Sequence, residues 1–167
     1  RTKRDFSGLV PASHQQAEPE NPHMPLVIML VLTQLSVGGF FIGGLTNECL
    51  PPTGQLYFTP VFSILSMLLG LVALGASVFH LGRPTQAWRA WIGLRSSWLS
   101  REIVGFGLFA GLAVLTAGLQ PLAGSIRILW LAVVGCGLFS VYCSAMVYRS
   151  TPRAAWQGGI VPLKFFG

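Results

Sequence analysis

Residues 103–123 read IVGFGLFAGLAVLTAGLQPLA, twenty-one residues without an ionisable side chain. At 1.5 Å per residue a helix of that length covers about 30 Å, the thickness of a bilayer's hydrocarbon core. In lipid the backbone must satisfy its own hydrogen bonds, so spans are helices or closed barrels. A run this long and without polar alternation is a helix. Three more runs of the same kind lie at 25–45, 61–81 and 126–147. The pattern predicts an all-α, polytopic transmembrane bundle with four helices in this chain.

Composition agrees. The chain is 52% hydrophobic and 10% charged, against about 25% charged in soluble domains. Its net charge is +6, but the basic residues sit between apolar runs and form no patch interleaved with exposed aromatics. Nucleic acid is therefore not the partner; the basic residues set orientation in a bilayer. Cys49, Cys136 and Cys143 make no C-x-x-C pair, so zinc and iron–sulfur spacings are absent. Cys136 and Cys143 read as small buried apolar residues.

Outside the runs the chain divides further. Residues 1–24 are polar and rich in Pro, Gln and Glu, a linker or tail that buries too little to fold alone. Residues 25–167 form the membrane domain, with the start of a further segment at about 156–167. The chain begins with Arg1, no apolar stretch follows Arg1–Arg4 closely, and 160–167 is apolar again. A fragment at both ends, without a signal peptide, is the expectation. Pro51, Pro52 and Gly54 mark 47–58 as a loop, whereas Gly124 and Ser125 leave so tight a connection that the third and fourth helices are antiparallel neighbours. Gly39 with Gly43, and Gly107 with Gly111, are four apart and mark expected helix contacts.

The connection 82–100, GRPTQAWRAWIGLRSSWLS, differs from the others. Trp88 and Trp91 are three apart with Arg89 on another face, which predicts an interfacial segment with rings at headgroup depth. Nine basic residues (Arg1, Lys3, Arg4, Arg83, Arg89, Arg95, Arg101, Arg149 and Arg153) fall on the N-terminal side of the membrane, out of eleven in the chain. The positive-inside rule then puts the N-terminus and the 82–101 loop in the cytoplasm.

Ionisable groups at membrane depth are costly and mark function by default. His80 lies one residue from the end of the second run, Glu102 opens the third, and Gln34 lies well inside the first. All fall toward one side, with Arg83, Arg101, Tyr148 and Arg149 at the same level. Each has a plainer role: a helix-end hydrogen bond for His80, an arginine pair or the helix dipole for Glu102, an interhelical bond for Gln34. Together a histidine, a carboxylate and an amide suit quinol oxidation, which needs hydrogen-bond partners and a proton acceptor.

The run VFHLGRPTQAWRAW at 78–91, followed by SWLSREI at 97–103, resembles the membrane anchor subunit family of the anaerobic dimethyl sulfoxide reductases. So do PLV at 25–27 through TQLSVG at 33–38, LWL at 129–131 and VYR at 147–149. The resemblance implies an eight-helix, multi-pass protein of the bacterial inner membrane that oxidises menaquinol. It also implies two soluble partners, an iron–sulfur electron-transfer subunit and a molybdopterin catalytic subunit. His80 of the His-Leu-Gly-x-Pro motif and Glu102 of Ser-Arg-Glu-Ile match the family's quinol site; Gln34, Arg83 and Arg89 are weaker transfers. No haem or metal is expected in the chain. Two departures stand out: about half the helices, and a polar N-terminal extension, expected to join an upstream iron–sulfur domain.

Three rival readings remain. A b-type cytochrome anchor needs axial ligands, yet His80 alone lies in an apolar run. A transporter gathers polar groups near the midplane on broken helices, whereas here they gather at one interface and the helices are expected to be uninterrupted by proline. A passive anchor without a quinol site is the third.

Overall fold

The computed structural model describes residues 24–80, 84–123, 127–150 and 165–166, with the backbone alone at 79, 80, 84, 85, 87 and 121–123. The polar tail, Arg83, the Gly124–Ser125 connection and most of 156–167 lie outside the described residues. Among the described residues four α-helices run in order: α1 (Met24–Cys49), α2 (Pro52–His80), α3 (Trp98–Ala123) and α4 (Arg127–Ser150). All four are long and apolar enough to cross a membrane. A 3₁₀ segment, Pro84–Trp91, precedes α3.

The helices close a ring in which α1 packs on α2 and α4, and α3 packs on the same two. Phe40 of α1 and Phe109 of α3 meet edge to face across the centre, with centroids 5.9 Å apart. Trp130 of α4 meets Phe40 edge to face, with centroids 5.6 Å apart, and its indole N–H donates to the Phe40 carbonyl at 2.8 Å. Outside, Leu35, Leu65, Leu115 and Leu131 are exposed, while Thr33, Ser36, Ser63, Ser66, Ser140 and Ser144 are buried. That inversion of the soluble pattern suits a lipid solvent, where apolar surface costs nothing and hydroxyls bond between helices. The Ser36 hydroxyl donates to the Ser66 carbonyl at 2.6 Å, and the Ser63 hydroxyl to the Gln120 side-chain oxygen at 2.6 Å.

Three local expectations change. First, 47–58 is mostly helix: α2 begins at Pro52, where a missing N–H costs nothing. The turn closes because the Gln55 side-chain amide donates to the carbonyls of Asn47 and Leu50, each at 2.9 Å. These are helix-end acceptors that lack intrahelical donors. Thr59 adds a bond to the Asn47 side-chain oxygen at 2.6 Å, and because α2 starts earlier than its apolar run it contains Pro60, against the expectation of helices uninterrupted by proline.

Second, α3 begins at Trp98 rather than 103. The Ser97 hydroxyl accepts from the Ser100 N–H at 3.4 Å, the geometry of an N-cap. Glu102 therefore sits in the second turn and does not open the helix.

Third, the glycine pairs part company. A side chain at Gly39 would strike Ser66, and one at Gly43 would press on Trp130 and Phe62. Gly107 and Gly111 instead face open space, while Gly105 lies against Ser140 between α3 and α4, and Gly44 against Trp130 and Gly137 against Val37 between α1 and α4.

Candidate functional site

Antiparallel packing brings the end of α2, the start of α3, the start of α1 and the end of α4 to one end of the bundle. The 3₁₀ segment packs on α3 at that end. Within and just after it Trp88, Arg89, Trp91 and Ile92 are exposed and Ala90 is buried. Trp88 and Trp91 share a face because 3₁₀ geometry repeats every three residues. The following turn is tied by Ser97 N–H to Gly93 carbonyl at 2.9 Å. Arg101 fastens it to α3: its guanidinium donates to the carbonyls of Leu94 at 2.8 Å and Arg95 at 3.0 Å. The same group lies over the Trp98 ring, 4.3 Å from its centroid. Arg101, a neighbour of the cluster by sequence, is thus a loop fastener.

Glu102 points inward and is 7% exposed. The Ser144 hydroxyl of α4 donates a hydrogen bond to its carboxylate. A charged group costs about 2.5–3.5 kcal/mol at a helix centre in lipid and less toward a helix end such as this one, and a hydrogen bond to a charged group returns about 1.5–3 kcal/mol. Sequence reasoning misses Ser144, although a signal is there. Cys136, Ser140 and Ser144 recur every four residues along α4 and face α3. Cys136 donates to the Gly105 carbonyl at 3.5 Å, Ser140 lies against Gly105, and Ser144 reaches Glu102. Cys143, beside Ser144, is fully buried, and Cys136 is half-buried.

Depth follows from helix registry. Val37 lies against Gly137, so Ser144, seven residues on, is level with about residue 30 of α1. Glu102 shares that level through its bond to Ser144. Gln34, half-buried, is then about one turn deeper, roughly 6 Å at 1.5 Å per residue. His80, the last residue of α2, lies nearer the end. Ser36 faces Ser66 and Gly70, which sets residue 30 opposite about 72–76, one to two turns below His80. The structure thus puts His80, Glu102 and Gln34 at successive depths of one end, and Arg89 outside them on the 3₁₀ segment. Among the described residues neither Gln34 nor Arg89 is hydrogen-bonded to Glu102. The Tyr148 ring, near the end of α4, packs on Phe165 with centroids 5.6 Å apart.

Comparison with known proteins decides the family. Residues 19–167 match the family described as DMSO reductase anchor subunit (DmsC). The chain belongs to that family. This anchor-family chain is 33% identical over 149 residues to a sulfite dehydrogenase subunit of Allochromatium vinosum, covering 77% of the chain and 46% of the relative. It is 31% identical over 152 residues to an anaerobic dimethyl sulfoxide reductase chain of Escherichia coli, covering 85% and 52%. An anaerobic dimethyl sulfoxide reductase chain of Haemophilus influenzae is 28% identical over 149 residues, covering 86% and 53%. The DmsC-family chain therefore spans about half the length of the curated relatives it matches. No solved structure matches it.

Proposed function

We propose that this chain is the quinol-facing part of a membrane anchor and electron-transfer subunit, with menaquinol oxidised at the end of the bundle that holds Glu102 and His80. The observation that carries the proposal is the inward-facing Glu102 carboxylate, held by Ser144 within the membrane span, at the end where α2 terminates in His80. A carboxylate at that depth is costly, which makes a functional role its default reading.

A quinol gives up two protons and two electrons. In this reading Glu102 accepts a proton from one ring hydroxyl and His80 accepts the other, with Arg83, Arg89 and Gln34 as further polar partners of the ring. Ser144 orients the carboxylate. The apolar outer faces of the helices leave lipid-side access for an isoprenoid tail. The electrons pass to an iron–sulfur subunit or fused domain, then to a molybdopterin subunit that reduces the terminal substrate. Family membership and the names of the relatives support the two-partner assembly. The basic residues at this end support a cytoplasmic N-terminus and 82–101 loop in a bacterial inner membrane.

Glu102→Gln in the intact complex tests the proposal. Turnover driven by quinol is expected to fall on the order of a hundredfold, within the range of general acid–base contributions. Turnover driven by a soluble dye that reduces the iron–sulfur partner directly is expected to hold. Equal rates with quinol for both proteins would support the passive-anchor reading instead.

A further inference from the structure

The bundle end opposite Glu102 carries a second feature that the quinol proposal does not use. Between the C-terminal part of α1 and the N-terminal part of α4 lies a cavity of about 220 Å³. Trp130 lines it, with the N–H edge of its indole set against α1 where residue 44 is glycine; a side chain there would collide with the indole. Leu45 and Leu131 form the lips, both exposed. From Arg127 to Val134, which also lines it, the groove runs seven residues along α4, about 10 Å. It is a mainly apolar slot at the outer surface of the bundle, where Phe41, Leu45 and Leu131 are exposed.

The mouth is charged with both signs. Arg127 and Glu48 face each other at 3.6 Å, with side chains 74% and 57% exposed. An exposed pair of this kind contributes little to stability, so both groups stay available to a ligand. Arg127 opens α4, whose positive dipole end attracts an anion; Glu48 lies in the last turn of α1, whose negative end attracts a cation. A phosphate at Arg127 and an ammonium at Glu48 would each meet a side chain and a helix end of opposite sign.

We propose that this groove seats one acyl chain of a zwitterionic phospholipid of the phosphatidylethanolamine class, with its phosphate on Arg127 and its ammonium on Glu48. An anionic lipid without an ammonium would satisfy Arg127 and meet repulsion from Glu48. The mixed charge thus selects for the zwitterion, and the apolar slot selects for a lipid over a free anion.

Native mass spectrometry of the detergent-solubilised full complex, titrated with phosphatidylethanolamine or phosphatidylglycerol, tests this. Wild type is expected to hold phosphatidylethanolamine at least about tenfold more tightly, the scale of one charge-assisted hydrogen bond. Glu48→Gln should erase that preference while phosphatidylglycerol binding holds or rises. Arg127→Gln should weaken both lipids, and Arg127→Lys should restore them. Both positions are exposed, and helix content by circular dichroism checks that each variant folds. Equal binding of the two lipids by wild type would overturn the proposal. So would lipid binding untouched by both substitutions, or displacement of the lipid by inorganic phosphate alone, which would make Arg127 a free-anion site.

Discussion

The Ser144 hydroxyl on α4 donates a hydrogen bond to the buried Glu102 carboxylate on α3, joining two helices at the level where the candidate quinol site lies. Neither side chain has another described hydrogen bond. Removing the hydroxyl leaves a buried carboxylate without its donor, which costs more than the bond itself contributes.

Ser144→Ala is therefore expected to lower quinol-driven turnover on the order of tenfold, equivalent to about 1.4 kcal/mol in the barrier. Ser144→Thr, which keeps the hydroxyl, should stay within about threefold of wild type. Steady-state assays of the complex in membranes measure both. Full activity in Ser144→Ala would mean that Glu102 is positioned without it.

Gly137 and Gly111 make a matched pair. A side chain at Gly137 would press on Val37 and Phe109, whereas one at Gly111 meets nothing within this chain. Gly137→Val is expected to destabilise the bundle by about 1–3 kcal/mol through overpacking. Gly111→Ala should change it by less than about 0.5 kcal/mol. Unfolding of the purified protein in mixed micelles by denaturing detergent distinguishes them; equal losses would contradict the packing described.

Much of this fold is legible in the sequence. Runs of about 20 apolar residues admit little besides spanning helices, because lipid leaves the backbone no other partner. Gly39 and Gly43 are contact positions, as their spacing suggests; Gly107 and Gly111 are not, since spacing says which residues share a face but not which way that face turns. Pro51, Pro52 and Gly54 spell a loop, yet Pro52 starts a helix. What tips the balance is Gln55 reaching back to the carbonyls of Asn47 and Leu50, a contact invisible to turn propensity. Glu102 stands out by being ionisable within an apolar chain. Ser144 does not, because serines are common in membrane helices and a spacing of four marks a face without naming its partner.

Arg101 gives a prediction about the loop. Its bonds to the Leu94 and Arg95 carbonyls and its stacking on Trp98 hold the turn before α3. Arg101→Gln should speed amide hydrogen exchange across residues 92–97 on the order of tenfold, matching the loss of a charged hydrogen bond. Exchange within the middle of α3 should be unchanged. Unaltered exchange in the turn would show that other contacts hold it.

Trp130 separates packing from hydrogen bonding. Trp130→Phe keeps most of the ring contact with Phe40 but loses the bond to the Phe40 carbonyl, an expected cost of about 1 kcal/mol. Trp130→Ala also removes a ring that lines the groove and should cost about 3–5 kcal/mol. A similar loss in the two variants would mean that the ring contributes little to packing.

The most direct test of a quinol site at this end is binding of a fluorescent quinol-analogue inhibitor to the assembled complex, wild type against His80→Leu. Wild type is expected to quench the inhibitor stoichiometrically, and His80→Leu to abolish quenching while the complex remains assembled in the membrane. Unchanged quenching by His80→Leu would place the site elsewhere and reduce this part of the bundle to an anchor.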